Sequence, residues 1–320
     1  MNKSANIVEV KDLKTWFPIR HGVLARTVGH VRAVDGVSFF VARGETLGLV
    51  GESGCGKSTL GRTLMGLEKI YAGEVLVEGK SLAALSGRQL RSLRRRIQIV
   101  FQDPLSSLNP RMNTLDIVTE GMIQFGLLDG DREAVAGKLM AEVGLSADMI
   151  YRYPHEFSGG QRQRINIARA VSLKPDFIVC DEPVSALDVS VQAQIINLLL
   201  DLRKKYGLAY LFISHDLSVV SHISHRVAVM YLGKIVEYGR TAAVIQQPRH
   251  PYTRALVDAI PVPGSHRREK IVLSGSMPSP ANPPPGCPFH PRCPEAMAVC
   301  RTRYPAESGD EERRVRCHLY

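Results

Sequence analysis

Residues Gly51-Glu52-Ser53-Gly54-Cys55-Gly56-Lys57-Ser58-Thr59 constrain this chain more than any other stretch. They satisfy the pattern G-x-x-x-x-G-K-S, directly after the apolar run Glu45 to Val50 and before a helix-forming segment reaching about Leu67. Strand, glycine-rich turn and helix in that order build a phosphate cradle. Glycines let backbone N–H groups turn inward around an anion, and the helix N-terminus adds positive dipole. Lys57 supplies a point charge for β- and γ-phosphates, and the Ser58 hydroxyl can ligate Mg²⁺. Such a unit belongs in a mostly parallel sheet covered by helices. The remaining pattern agrees with an α/β fold. Strands are predicted at Ile7–Val10, Val31–Val41, Gly73–Glu78, Ile97–Phe101, Phe177–Cys180 and Tyr210–Ile213, with a hairpin turning at Leu232 and Gly233. A basic helix is predicted to end over Leu90–Arg96, and helices are predicted over Thr114–Leu173 with breaks at 126–130 and 153–160, and over Val189–Tyr206.

Two further segments carry chemistry. Phe177-Ile178-Val179-Cys180-Asp181-Glu182-Pro183 is an apolar strand ending in two carboxylates. Ligands gather at that edge of a parallel sheet, so Asp181 is placed to hold Mg²⁺, through water, and Glu182 to polarise an attacking water. Phe157-Ser158-Gly159-Gly160-Gln161 opens a helix, with Ser158 as a good N-cap and two glycines that allow backbone to approach an anion. A helix cap alone would explain Ser158 and one glycine, but not the whole set.

With these three segments in place, the sequence resembles the ATP-binding subunits of ABC transporters. Gln102 matches that family's Q-loop, Ser185-Ala186-Leu187-Asp188 its D-loop and His215 its switch histidine, while Phe17, with Trp16 beside it, matches the aromatic that stacks on adenine. The resemblance implies a P-loop NTPase with a RecA-like core, an antiparallel β subdomain and an α-helical subdomain over about 103–173. These make a nucleotide-binding domain over 1–261, followed by a small Cys-rich extension over 262–320. It implies ATP held between two such domains, with Glu182 as general base and His215 at the γ-phosphate. Gln102 would join Ser58 and Asp181 at Mg²⁺, while Ser158, Gly159, Gly160, Gln161 and Asp188 would act on the opposite chain's nucleotide.

The segments at 101–111 (FQDPLSSLNPR), 151–155 (YRYPH), 250–253 (HPYT) and 283–287 (PPPGC) are similar to the dipeptide and oligopeptide importers, in the second, F-type ATPases of that branch. That implies a heterodimer with a D-type sister ATPase, two membrane permeases, and an extracytoplasmic peptide-binding protein acting indirectly. The expected place is the cytoplasmic face of the inner membrane. The same branch imports nickel and antimicrobial peptides, which stay open as alternatives.

Composition excludes competitors. The 320 residues are 44% hydrophobic, so the chain is not a disordered one. Met1 to Val10 lacks the apolar core of a signal peptide. No stretch reaches the roughly 18 apolar residues of a spanning helix, so a soluble, cytoplasmic protein is expected. The net charge of +10, from 41 Lys and Arg against 31 Asp and Glu, suits an anionic surface or nucleic acid. However, only 55 residues separate Gln102 from Ser158, leaving no room for the coiled coil of chromosome ATPases. No nucleic-acid partner is expected.

Four of six cysteines, Cys287, Cys293, Cys300 and Cys317, follow C-x5-C-x6-C-x16-C in a proline-punctuated tail. Disulfides are disfavoured in a cytosolic chain. Four thiolates suit zinc or an iron–sulfur cluster, and the family resemblance favours a 4Fe–4S cluster of structural role. Cys55 and Cys180 read as small packing residues, and His290 and His318 lie outside the ligand set.

Overall fold

The computed structural model describes residues 6–22, 25–260, 275–310 and 312–320. The chain divides into two compact units. One is built mainly from Ala84–Phe212, the other from Val8–Phe40, Thr46–Ala83 and Ile213–Tyr320.

In the first unit, Ile97–Val100 pairs in parallel with Phe177–Asp181, Ile97 opposite Phe177 and Val100 opposite Cys180. The strand Ala209–Ser214 follows Phe177–Asp181 in the strand order. Every residue of the latter two strands is buried, as expected for parallel strands covered on both faces. Residues 103–173 carry only helical elements. Thr114–Gln124 and Arg132–Glu142 start where Asn113 and Asp131 accept N–H bonds from Asp116 and Ala134. Gly159–Val171 buries seven side chains, among them Ile165, Ile167 and Val171. The helix predicted over Val189–Tyr206 is found with those bounds. It stops because Gly207 takes a left-handed φ of 66°.

In the second unit an antiparallel sheet runs through Arg26–Ala42, Asn6–His21, Ala72–Val77 and Lys80–Ser81, in that spatial order. Its first two strands are much longer than their predicted cores. Charged residues such as Lys11 and Lys14 interrupt the apolar alternation that marks a strand in sequence, but they pair across the sheet with Glu74 and Ala72 all the same. A second sheet places Thr46–Val50 beside Arg226–Tyr231 in parallel, then Lys234–Arg240, Arg313–Val315 and Ser308–Gly309. The hairpin turn falls at Leu232 and Gly233, both at positive φ, the geometry that two-residue hairpins favour. The helix after the glycine-rich loop spans Lys57–Leu64, shorter than predicted. Gly66, at φ 64°, ends it, with Gly66 N–H bonded to Thr63 and Leu67 N–H to Arg62.

The Cys-rich extension is stitched into this second unit. Its strand Arg313–Val315 pairs antiparallel with Lys234–Arg240, Glu237 opposite Val315. The expected boundary at 261/262 lies outside the described residues, as do Met1 to Ala5.

Candidate nucleotide site

The phosphate loop leaves the buried strand Thr46–Val50 and enters Lys57–Leu64 through Gly56. Gly56 sits at φ 108°, and a Cβ there would lie 2.0 Å from the Ala33 carbonyl oxygen. A Cβ on Gly51 would come within 2.2 Å of the Met230 carbonyl oxygen. The loop therefore needs glycine at both places for space, and at Gly56 for conformation as well. Gly56 caps the helix without a side chain, and the first helical turn itself carries no acidic residue. The Lys57 ammonium is buried and donates to the carbonyls of Gly51 (2.8 Å) and Glu52 (3.0 Å). Burial pushes the Cys55 thiol up to about 11, which makes it an inert neighbour.

Phe17 is 36% exposed. Strand alternation puts it on the face of Thr15, whose hydroxyl bonds Thr63 of the phosphate-loop helix at 3.0 Å. Trp16 is already engaged, stacked on Tyr71 at 4.3 Å with the Arg32 guanidinium 4.9 Å from its ring centre. The available ring is that of Phe17. His215 lies exposed in the turn between Ala209–Ser214 and Leu217–Ile223, a turn fixed by Asp216, whose carboxylate caps Ser218 N–H at 2.8 Å.

In the other unit, Asp181 and Glu182 end the strand Phe177–Asp181 and are both buried. Gln102 and Glu182 come together: Gln102 Nε2 donates to Glu182 Oε2 at 3.2 Å. Glu182 is one of six described non-glycine residues at positive φ, 46°. Ser185 Oγ bonds its carbonyl at 3.1 Å, fixing the turn that aims the carboxylate. Burial drives the Cys180 thiol strongly upward, so it packs and does not react. Ser158 forms the predicted cap and more. Its hydroxyl accepts from Gln161 N–H while Gln161 Oε1 accepts from Ser158 N–H, a complete capping box. A Cβ on Gly160 would approach Val191 Cγ1 to 2.5 Å, which explains the second glycine by packing. Asp188 is exposed at the start of Val189–Tyr206, and its side chain does not cap that helix.

The extension carries Cys287, Cys293, Cys300 and Cys317. Burial pushes the Cys287 thiol up to about 11, with smaller contributions from Cys300, Cys317 and Cys293. The Cys287 N–H bonds the Cys300 carbonyl at 2.8 Å. Among the described residues no three His, Cys, Asp or Glu side chains converge closely enough to hold one metal ion. Three residues beyond position 250 that the sequence reading did not place near the nucleotide reach the phosphate loop. Tyr252 Oη accepts the Glu52 N–H at 2.9 Å, Arg292 Nη1 lies 2.9 Å and 3.1 Å from the two Glu52 carboxylate oxygens, and Met277 Cε lies 3.4 Å from where a Gly54 Cβ would be. These contacts span some 200 to 240 positions, and no local pattern signals them.

His250 anchors the same region. It is buried, and its backbone N–H bonds the Glu237 carboxylate, while its Nδ1 accepts the Tyr252 N–H at 3.1 Å, which requires an unprotonated Nδ1 and so a neutral ring. Burial, and then Arg254, push its pKa from 6.5 down to about 3. The unfolded chain therefore binds more protons than the folded one between those values, and stability falls as pH drops through that window. Melting temperatures at pH 7 and pH 5 are expected to fall less in His250→Asn than in the parent chain. Equal falls would show that His250 titrates freely.

Residues 34–185 match the family described as ABC transporter, and residues 236–300 match the oligopeptide/dipeptide transporter C-terminal region. Over 320 residues the chain is 53% identical to the oligopeptide transport ATP-binding protein AppF of Bacillus subtilis, covering 98% of this chain and 97% of that protein. The chain belongs to the ABC transporter ATPases of the oligopeptide/dipeptide branch. A probable peptide ABC transporter ATP-binding protein of Sinorhizobium fredii, y4tS, is 54% identical over 98% of this ATPase and 90% of its own length. Among solved structures, CbiO1 of Clostridium perfringens, part of an ABC transporter complex, aligns with TM-score 0.65 at 26% identity, over 76% of this chain and 92% of its own. The ATP-binding cassette MJ0796, captured as a dimer with ADP and phosphate, aligns with TM-score 0.64 at 26% identity, over 73% and 98%.

Proposed function

We propose that this ABC ATPase powers peptide import. The observation that carries the reading is the match along nearly the whole chain, extension included, to AppF, a protein named for oligopeptide transport. In this reading Lys57 and the loop N–H groups gather the phosphates, Phe17 stacks on adenine, and Glu182, aligned by Gln102, takes the proton of the attacking water. His215 contacts the γ-phosphate. Ser58, Gln102 and Asp181 hold Mg²⁺, which offsets charge on the phosphoryl oxygens. Ser158, Gly159, Gly160, Gln161 and Asp188 serve the nucleotide of a second, D-type ATPase chain. Catalysis of this kind is positioning plus electrostatics, so an incomplete pair turns over slowly.

Among the described residues no helix is long and apolar enough to cross a membrane, so contact with the bilayer runs through two permease subunits at its cytoplasmic face. Exposed Leu105, Ile123, Tyr151 and Tyr153, all in or beside the helical elements of 103–173, supply apolar surface for that docking. Purification from membranes with identification of bound subunits, followed by ATP-dependent peptide uptake in vesicles, tests the reading. Uptake of nickel but not peptide would replace the substrate and keep the ATPase.

For the extension we propose a 4Fe–4S cluster on Cys287, Cys293, Cys300 and Cys317, with a structural role. Thiolate is the ligand such clusters use. The support for this reading is the donor set, four thiols within one short extension, together with the family resemblance. Anaerobically purified protein is expected to be coloured and to contain iron and acid-labile sulfide. Stoichiometric zinc without iron would overturn this.

A further inference from the structure

We propose that Arg292, carried by the Cys-rich extension, is a positioning residue for ATP binding: it neutralises and fixes Glu52, the carboxylate built into the phosphate loop. Glu52 is the second residue of a loop whose N–H groups and lysine are arranged to receive phosphates. A free carboxylate there opposes that task by like-charge repulsion. One Arg292 nitrogen reaches both carboxylate oxygens, at 2.9 Å and 3.1 Å. The guanidinium is the more deeply held partner, its side chain 7% exposed against 29% for Glu52. A buried guanidinium persists only when paired, so the pair is built in and not a chance surface contact.

Its position is set by rings. Phe289, three residues earlier, packs edge-on against Tyr231 at 5.2 Å and tilted against Tyr252 at 5.5 Å. Tyr231 Oη lies 3.5 Å from Arg292 Nη1, and Tyr252 Oη holds the Glu52 backbone. Both ends of Glu52, its N–H and its carboxylate, are thus tied to residues beyond position 250. The segment bearing Phe289 and Arg292 lies between Cys287 and Cys293. The extension therefore does more than cover the sheet edge: it sets the charge and posture of the loop that binds the nucleotide.

The test is equilibrium binding of MgATP to the purified full-length chain, with its melting temperature without nucleotide as a fold control. Arg292→Ala is expected to weaken binding about tenfold, the scale of one lost charge-assisted hydrogen bond. Adding Glu52→Gln to Arg292→Ala is expected to recover most of that loss, because the uncompensated carboxylate is gone. A purely structural role predicts no recovery. Unchanged affinity in Arg292→Ala, or a double variant as weak as the single one, overturns the proposal. If Arg292→Ala does not fold, Arg292→Lys decides: affinity within about threefold of the parent supports charge neutralisation, and a tenfold loss overturns it.

Discussion

Replacing Glu182 by Gln is expected to lower ATP turnover by about a thousandfold while leaving nucleotide binding close to that of the parent chain. The two side chains have nearly the same shape, so the buried turn at φ 46° and the contact with Gln102 keep their geometry. What is lost is the ability to accept a proton from water. Binding and chemistry should therefore separate cleanly. If the nucleotide is held between two ATPase chains, as proposed above, the variant should also accumulate as an ATP-bound dimer. Phosphate release, nucleotide binding and size-exclusion mass measured on one preparation check all three. A variant with parental turnover would remove Glu182 from its role. One that fails to bind ATP would show that the carboxylate holds the site together and does not act on water.

Gly56→Ala is expected to be as severe by a different route. The added Cβ would meet the Ala33 carbonyl oxygen at 2.0 Å, a backbone atom that cannot swing aside as a flexible side chain can. The residue would also be forced to hold φ 108°, far from where alanine is comfortable, at a cost of about 1–3 kcal/mol before the clash is counted. The loop can relieve this only by moving away from Ala33, which opens the cradle. Loss of measurable MgATP binding, with a melting temperature several degrees lower, is the expected outcome. Gly126→Ala is a useful contrast. Its φ is also positive, but a Cβ there meets nothing within 4 Å, so it should lower the melting temperature only modestly and leave binding intact.

These two cases show where sequence reading succeeds. The phosphate loop, the acidic strand end and the Ser158 cap were legible because their chemistry depends on residues adjacent in the chain. A glycine needed for a positive φ, a hydroxyl needed at an N-cap and a carboxylate needed at a strand end leave local traces. The hairpin at Leu232 and Gly233 and the helix Val189–Tyr206 were legible for the same reason. The long antiparallel strands were not, since solvent-facing Lys and Arg break the alternation that marks them, and cross-strand pairing supplies what the pattern lacks. Nor was the end of the Lys57–Leu64 helix, where the turn at Gly66 outweighed the helical pattern that continues to Leu67.

By itself the sequence determined that this chain handles nucleotide phosphates on an α/β scaffold, and that its tail is chemically distinct. Only the tertiary structure decided what the tail is for. The Arg313–Val315 strand joins the sheet that carries the phosphate-loop strand, Phe289 enters a cluster of rings, and Arg292 meets Glu52 across 240 positions of sequence. Proximity of that kind arises from sheet order and ring packing, which are global properties of the fold. A pair so far apart in the chain leaves no spacing to read, so its electrostatic purpose appears only once both charges are seen side by side.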